Sequence, residues 1–218
     1  NDMSMPIVTK EREEILQLVQ EAKRTGQLRA ISLTSGVESS IEEEAKRLVS
    51  IVSALRARYD VPIGVSVYPT ETSSQDLKQA GATEIKYNVE TMDPEIFSRV
   101  CPGLSLEHIL KSLDKAVPIF GKNRVSSNFI LGLGESDECV LAGVAKLADM
   151  DVIPILRPIS PHPLRSGEID IKRPSSERLL LLARATKRIL EERDLRPDMA
   201  ETMCLPCTGC DITPYRDV

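Results

Sequence analysis

Arg124-Val-Ser-Ser-Asn-Phe-Ile-Leu-Gly-Leu-Gly-Glu-Ser-Asp137 decides the fold. Arg124 to Leu131 reads as a strand. Gly132 and Gly134 break it, and Ser136 or Asp137 caps a helix running through Met150. Strand, glycine turn and capped helix make one unit, and that unit recurs. Arg29–Thr34, Val61–Val67 and Glu84–Glu90 read as strands upstream, and Val152–Arg157 reads as one downstream. Helices fall around them. One covers residues 10–25 and ends at Gly26; another runs from Ile41 to about Arg58, opened by the capping box Ser40 and Glu43. Ser74–Ala80 stops at Gly81, Ser105 caps a helix to about Val117, and Glu177–Arg193 follows a proline-rich loop.

Strands near residues 29, 61, 84, 124 and 152, each followed by a helix, are set parallel by their crossovers. Right-handed crossovers curl such units into a barrel or a doubly wound sheet. A repeat of about 25 to 40 residues suits a partial (β/α) TIM-type barrel, so the fold class is α/β. The chain opens on a helix and on Asn1 rather than Met. The expectation is a fragment whose first strand lies upstream. Arg196-Pro197 is the plausible boundary between a partial barrel, residues 1–196, and a Cys-rich tail, residues 197–218.

The composition narrows the partners. A net charge of -5 gives no global attraction to phosphate backbones, and 3% aromatics without Trp make poor stacking platforms. Nucleic acid is therefore an unlikely partner. No apolar run approaches the ~20 residues of a membrane span, and there is no secretory signal. The expectation is a cytoplasmic protein acting on a small molecule.

In a parallel barrel the site lies at the carboxyl ends of the strands. Thr34, Ser35 and Gly36 form one tip, where hydroxyls and free amides favour a carboxylate; taken alone, they read first as an ordinary tight turn. Asn88 and Glu90, two apart on a strand, share a face and can grip a vicinal diol; alternatively Glu90 pairs with Lys86 or Arg99. Gly132 and Gly134 bring bare backbone to the mouth, and Glu135 reads as an acid in the first turn of the next helix. Arg157 can pair with a ligand carboxylate or with Glu90. His162, between two prolines, reads as a surface residue, and no catalytic residue is singled out.

The most specific chemistry is the tail Cys204-Leu-Pro-Cys207-Thr-Gly-Cys210. Two-residue gaps let three thiolates turn inward on an iron–sulfur cluster or a zinc ion. Cys101 and Cys139 bring the cysteines to an odd total, against a disulfide framework. Cys101, His108, His162, a partner residue or a substrate could supply a fourth ligand. A non-catalytic barrel with a zinc-binding tail is the alternative function. A Schiff-base enzyme using Lys86 is a weaker one.

Together these motifs resemble the radical S-adenosylmethionine superfamily, and within it the biotin synthase-like branch. Thr34-Ser35-Gly36 falls where that family holds the methionine amino group. Tyr87-Asn88-Val89-Glu90-Thr91 resembles its ribose-binding strand. Ile130-Leu131-Gly132-Leu133-Gly134-Glu135 resembles its fifth-strand motif, with Ile130 against the adenine. Pro158-Ile159-Ser160-Pro161-His162-Pro163 resembles the loop near adenine and substrate. The resemblance implies S-adenosyl-L-methionine as cofactor, held by Thr34, Ser35, Gly36, Asn88, Glu90, Ile130, Gly132, Arg157 and Pro158. It also implies a [4Fe–4S] cluster, a 5′-deoxyadenosyl radical acting on a small molecule or cofactor precursor, and a reductant protein such as a flavodoxin or ferredoxin. Cys204, Cys207 and Cys210 look like an auxiliary cluster site. The family's Cys-x3-Cys-x2-Cys motif is not in the sequence, since no cysteine precedes Cys101. Its expected place is upstream of Asn1, and by itself the chain is expected to be inactive.

Overall fold

The computed structural model describes residues 9–37, 40–160 and 171–218. Strands β1 (Ile31–Thr34), β2 (Ile63–Ser66), β3 (Glu84–Lys86), β4 (Val125–Leu131) and β5 (Ile153–Pro158) pair in sequence order, all parallel. That order never reverses, which distinguishes a barrel arc from a doubly wound sheet. Helices α1 (Arg12–Arg24), α2 (Ile41–Arg56), α3 (Ser73–Ala80), α4 (Pro94–Val100), α5 (Leu106–Phe120), α6 (Asp137–Asp149) and α7 (Ser176–Glu192) make the crossovers and the closing layer. A short α8 (Cys204–Cys207) lies in the tail.

Side chains alternate across each strand. One face carries Ile31, Leu33, Ile63, Val65, Ile85 and Val125, packed with Ile51, Leu55, Leu113 and Val144 from the helices in the main core. The other face carries Ser32, Gly64 and Glu84 at one level, and Thr34, Ser66, Lys86 and Ser126 at the next. A polar inner wall leaves room for ligands and must find partners for its own polar groups.

The C-terminal tail supplies those partners. Glu84, with its side chain 4% exposed, accepts the backbone N–H groups of Glu201 and Thr202, each at 2.9 Å, and the Thr202 hydroxyl. Arg124 bridges Glu84 at 2.8 Å and Glu201 at 2.6 Å. The Met203 N–H donates to Ser32 Oγ at 2.8 Å. A Cβ at Gly64 would strike the Thr202 side chain, so the glycine in β2 admits the tail. Leu205 and Ala200 join Ile153, Ile155, Leu190 and Leu195 in a second apolar cluster. Ile212 pairs antiparallel with Leu156 along the outer edge of β5.

Several sequence readings shift. β3 ends at Lys86, not Glu90, because Glu90 takes a left-handed backbone (φ 59°) and meets β4 only through a bridge to Phe129. Helix α4 was not anticipated, although Asp93 caps it and Pro94 occupies its first turn. Helix α5 runs through Pro118 to Phe120 rather than stopping near Val117. Ser136, not Asp137, caps α6 through the Cys139 N–H.

Candidate active site

A cavity of about 360 Å³ opens beyond the carboxyl ends of the last three strands. Glu90, Ile130, Arg157 and Pro158 line it, so these four expected ligand-binding residues meet on one surface. Cys101 and Cys210 line it as well, although 109 positions separate them in the sequence (210 − 101). Helix α4 ends at Cys101, which is how that thiol reaches the mouth. Val100, Leu133, Ile159 and Ile171 supply apolar walls.

Glu90 is the carboxyl that lines the cavity. Burial pushes its carboxyl above the ordinary glutamate range, against the Asn88 hydrogen bond and the charges of Lys86 and Arg157. Asn88 therefore stays beside Glu90 although β3 ends before both residues. Its Oδ1 also accepts the Asn128 N–H at 3.3 Å, tying the segment to β4. The Arg157 side chain is 40% exposed and pairs with Asp211 of the tail, Nε to Oδ1 at 3.6 Å, rather than with Glu90.

Gly132, also expected to bind the ligand, is not among the residues that line the cavity. Its φ is +107°, and a Cβ there would strike the Lys172 carbonyl and Ile159. Glu135 lies before the Ser136 cap rather than in the first turn of α6. Its carboxylate accepts the N–H groups of Gly132 at 2.8 Å and Leu133 at 2.7 Å and pairs with Arg178 at 3.1 Å. It clamps the glycine turn.

Thr34, Ser35 and Gly36 do not join this cavity. They line a separate hollow of about 760 Å³ between α1 and β1, together with Glu44 and Arg47. The Ser35 hydroxyl donates to Glu44, which pairs with Arg47 at 2.8 Å. Burial raises the Glu44 carboxyl, but the hydrogen bonds from Arg47 and Ser35 hold it below its ordinary range overall.

The three tail thiols have different surroundings. Lys86, 3% exposed on the inner wall, donates to Cys204 Sγ at 3.3 Å. Burial pushes the Cys204 thiol up; Lys86 opposes this and Asp211 adds to it. Cys207 and Cys210 are exposed. Among the described residues no three His, Cys, Asp or Glu side chains converge closely enough to hold a metal ion. Cys204 lies against Lys86 and Asp211, and Cys210 against Asp211 and beside Cys207. His108 is engaged elsewhere: Nε2 meets the Pro69 carbonyl at 2.9 Å and the ring stacks on Tyr68. His162 and its flanking prolines at 161 and 163 lie outside the described residues. Nothing in the sequence marked Asp211 as the partner of Arg157 or Cys204 as the partner of Lys86, because both contacts depend on where the tail docks.

Comparison with known proteins supports the same reading. The profile of the Radical SAM superfamily matches residues 4–145, more than half of the chain. Biotin synthase of Thermotoga neapolitana is 29% identical over 74% of this chain and 58% of its own length. Bacteriochlorophyllide c C-7(1)-hydroxylase of Chlorobaculum limnaeum is 27% identical over 72% of this chain and 42% of its own. The chain thus spans about half the length of these relatives. A solved structure of methylornithine synthase superposes with a TM-score of 0.67 at 19% identity, over 85% of this chain and 55% of that one, which shows the fold. Among the described residues no helix is long and apolar enough to cross a membrane.

Proposed function

The chain belongs to the radical SAM superfamily, in its biotin synthase-like branch, and on that premise we propose that it forms the S-adenosylmethionine-binding part of an enzyme acting on a small molecule. The family chemistry uses S-adenosylmethionine with a [4Fe–4S] cluster to supply a hydrogen-abstracting 5′-deoxyadenosyl radical. The thiolates for that cluster do not occur among residues 1–100, which contain no cysteine. The role derived for this chain is therefore binding and positioning.

The observation that carries the proposal is the mouth cavity, where Glu90, Ile130, Arg157 and Pro158 converge. Its volume lies within the roughly 300–1,000 Å³ of small-molecule sites. Asn88 and Glu90 offer an amide and a carboxyl side by side for a ribose diol. Ile130 and Pro158 offer apolar surface for a base, and Arg157 a guanidinium for a carboxylate. The apolar walls exclude water, which a reactive radical requires. Thr34, Ser35 and Gly36 would contribute only with a ligand long enough to reach their separate hollow.

Titrating the protein with S-adenosylmethionine in a calorimeter tests this reading. Saturable binding that is lost in Glu90→Ala is the expected result; no binding refutes it. A second cluster or a zinc ion on Cys204, Cys207 and Cys210 is the narrower part of the proposal. The Cys-x2-Cys-x2-Cys spacing supports it, and no step is assigned to it. The one-electron donor would be a flavodoxin- or ferredoxin-type protein.

A further inference from the structure

Lys86 is a buried amine that spends its hydrogen bond on a thiol. It stands on the inner face of β3 and is 3% exposed, with Nζ 3.3 Å from Cys204 Sγ. Lysine is rarely buried to this degree without pairing. Its charge reaches Glu90, yet the hydrogen bond its amine makes among the described residues goes to Cys204. The three donors of an ammonium are far from filled by one thiol.

The fold sets this contact. Glu84, two residues before Lys86 on the same face of β3, holds the N–H groups of Glu201 and Thr202, and Ser32 holds that of Met203. Cys204 is the next residue and is delivered onto Lys86. The other tail thiols turn elsewhere. Cys207 Sγ stands over Gly209, where an added Cβ would lie 3.3 Å from it, and Cys207 acts electrostatically on Cys210. The neighbours of Cys204 are Lys86 and Asp211. Of these two, the amine forms the lasting bond to an oxidised sulfur.

We propose that Lys86 and Cys204 are a modification site, closed by a reversible N–S crosslink when the thiol is oxidised by a peroxide. Cys204 Sγ attacks one oxygen of hydrogen peroxide. The O–O bond breaks, sulfur loses two electrons, and sulfenic acid and water result. Lys86 Nζ then displaces the sulfenic oxygen. The N–S bond forms, the S–O bond breaks, and water and a proton leave with no further change of oxidation state. A backbone nitrogen closes on a sulfenic acid in the same way. A dithiol reductant returns the two electrons and restores thiol and amine. The crosslink ties β3 to the tail and withdraws Cys204 from any metal. It does not depend on the cofactor reading of the cavity.

The test exposes the full chain, stripped of metal by a chelator, to hydrogen peroxide. Remaining thiols are blocked with iodoacetamide, and the protein is mapped by peptide mass. The expected product joins the Lys86 and Cys204 peptides at about 2 Da below their summed mass, and dithiothreitol splits it again. Lys86→Arg keeps the charge; it should abolish this species and leave Cys204 as a sulfinic acid, about 32 Da heavier. Cys207→Ser combined with Cys210→Ser should retain the crosslink in full, and serves as the readout if Lys86→Arg folds poorly. A disulfide from Cys204 to Cys207 or Cys210 as the main product, or a Cys204 that stays unlinked to Lys86 in the double variant, overturns the inference.

Discussion

Replacing Glu84 by alanine should unlatch the C-terminal tail. The carboxylate is almost fully buried and holds two backbone N–H groups, one hydroxyl and Arg124. Truncation leaves the Thr202 N–H without its acceptor inside the sheet and Arg124 with Glu201 and the Met199 carbonyl. Removing one partner of a buried, hydrogen-bonded charge costs about 3–5 kcal/mol. At about 2–4 °C per kcal/mol for a chain of this size, the melting temperature should fall by about 6–20 °C. Glu84→Gln keeps one acceptor and should cost less, about 1–3 kcal/mol. Urea unfolding followed by circular dichroism gives the free energy. Iodoacetamide labelling of Cys204, read by peptide mass, gives the local opening, because that half-buried thiol lies one residue beyond the Met203 contact. A loss below about 1 kcal/mol together with unchanged Cys204 labelling would refute the idea that Glu84 holds the tail.

Glu90→Gln should stabilise the protein at neutral pH. The folded carboxyl titrates above its unfolded value, so between the two the folded state binds more protons, and Glu90 costs stability as pH rises through that window; a wild-type-minus-variant difference that does not grow with pH would contradict this. Glu135→Ala should cost about 3 kcal/mol, since it strips two buried N–H groups and leaves Arg178 with Asp137; faster proteolysis within residues 132–134 would report the loosened turn. Cys207 and Cys210 should be alkylated well before Cys204. Protection of all three thiols by added zinc or by iron and sulfide would show the tail closing on a metal, and unchanged rates would exclude it under those conditions.

Local chemistry made much of the fold legible. Strand-forming runs, the Ser40 and Ser105 caps and the glycine turn at 132–134 act within a few residues, and the structure places five strands and their helices close to those signals. The length of β3 was not legible. A left-handed residue at Glu90 reflects how that segment meets β4, and side-chain type gives no warning of it. Four expected ligand-binding residues converge because their strand tips converge, whereas Thr34, Ser35 and Gly36 open into their own hollow.

What the sequence determined by itself was the order of parallel units and the residues at their tips, because periodicity and capping are short-range effects. Only the tertiary structure decided what the tail does. Its cysteine spacing pointed to a metal centre, yet its backbone is drawn across the inner wall by Glu84, Ser32 and Leu156, residues from three different strands. Those contacts span more than a hundred positions for Glu84 and Ser32 (201 − 84; 203 − 32), and they exist only once the arc has closed around them. That closure gives Asp211 to Arg157 and Cys204 to Lys86.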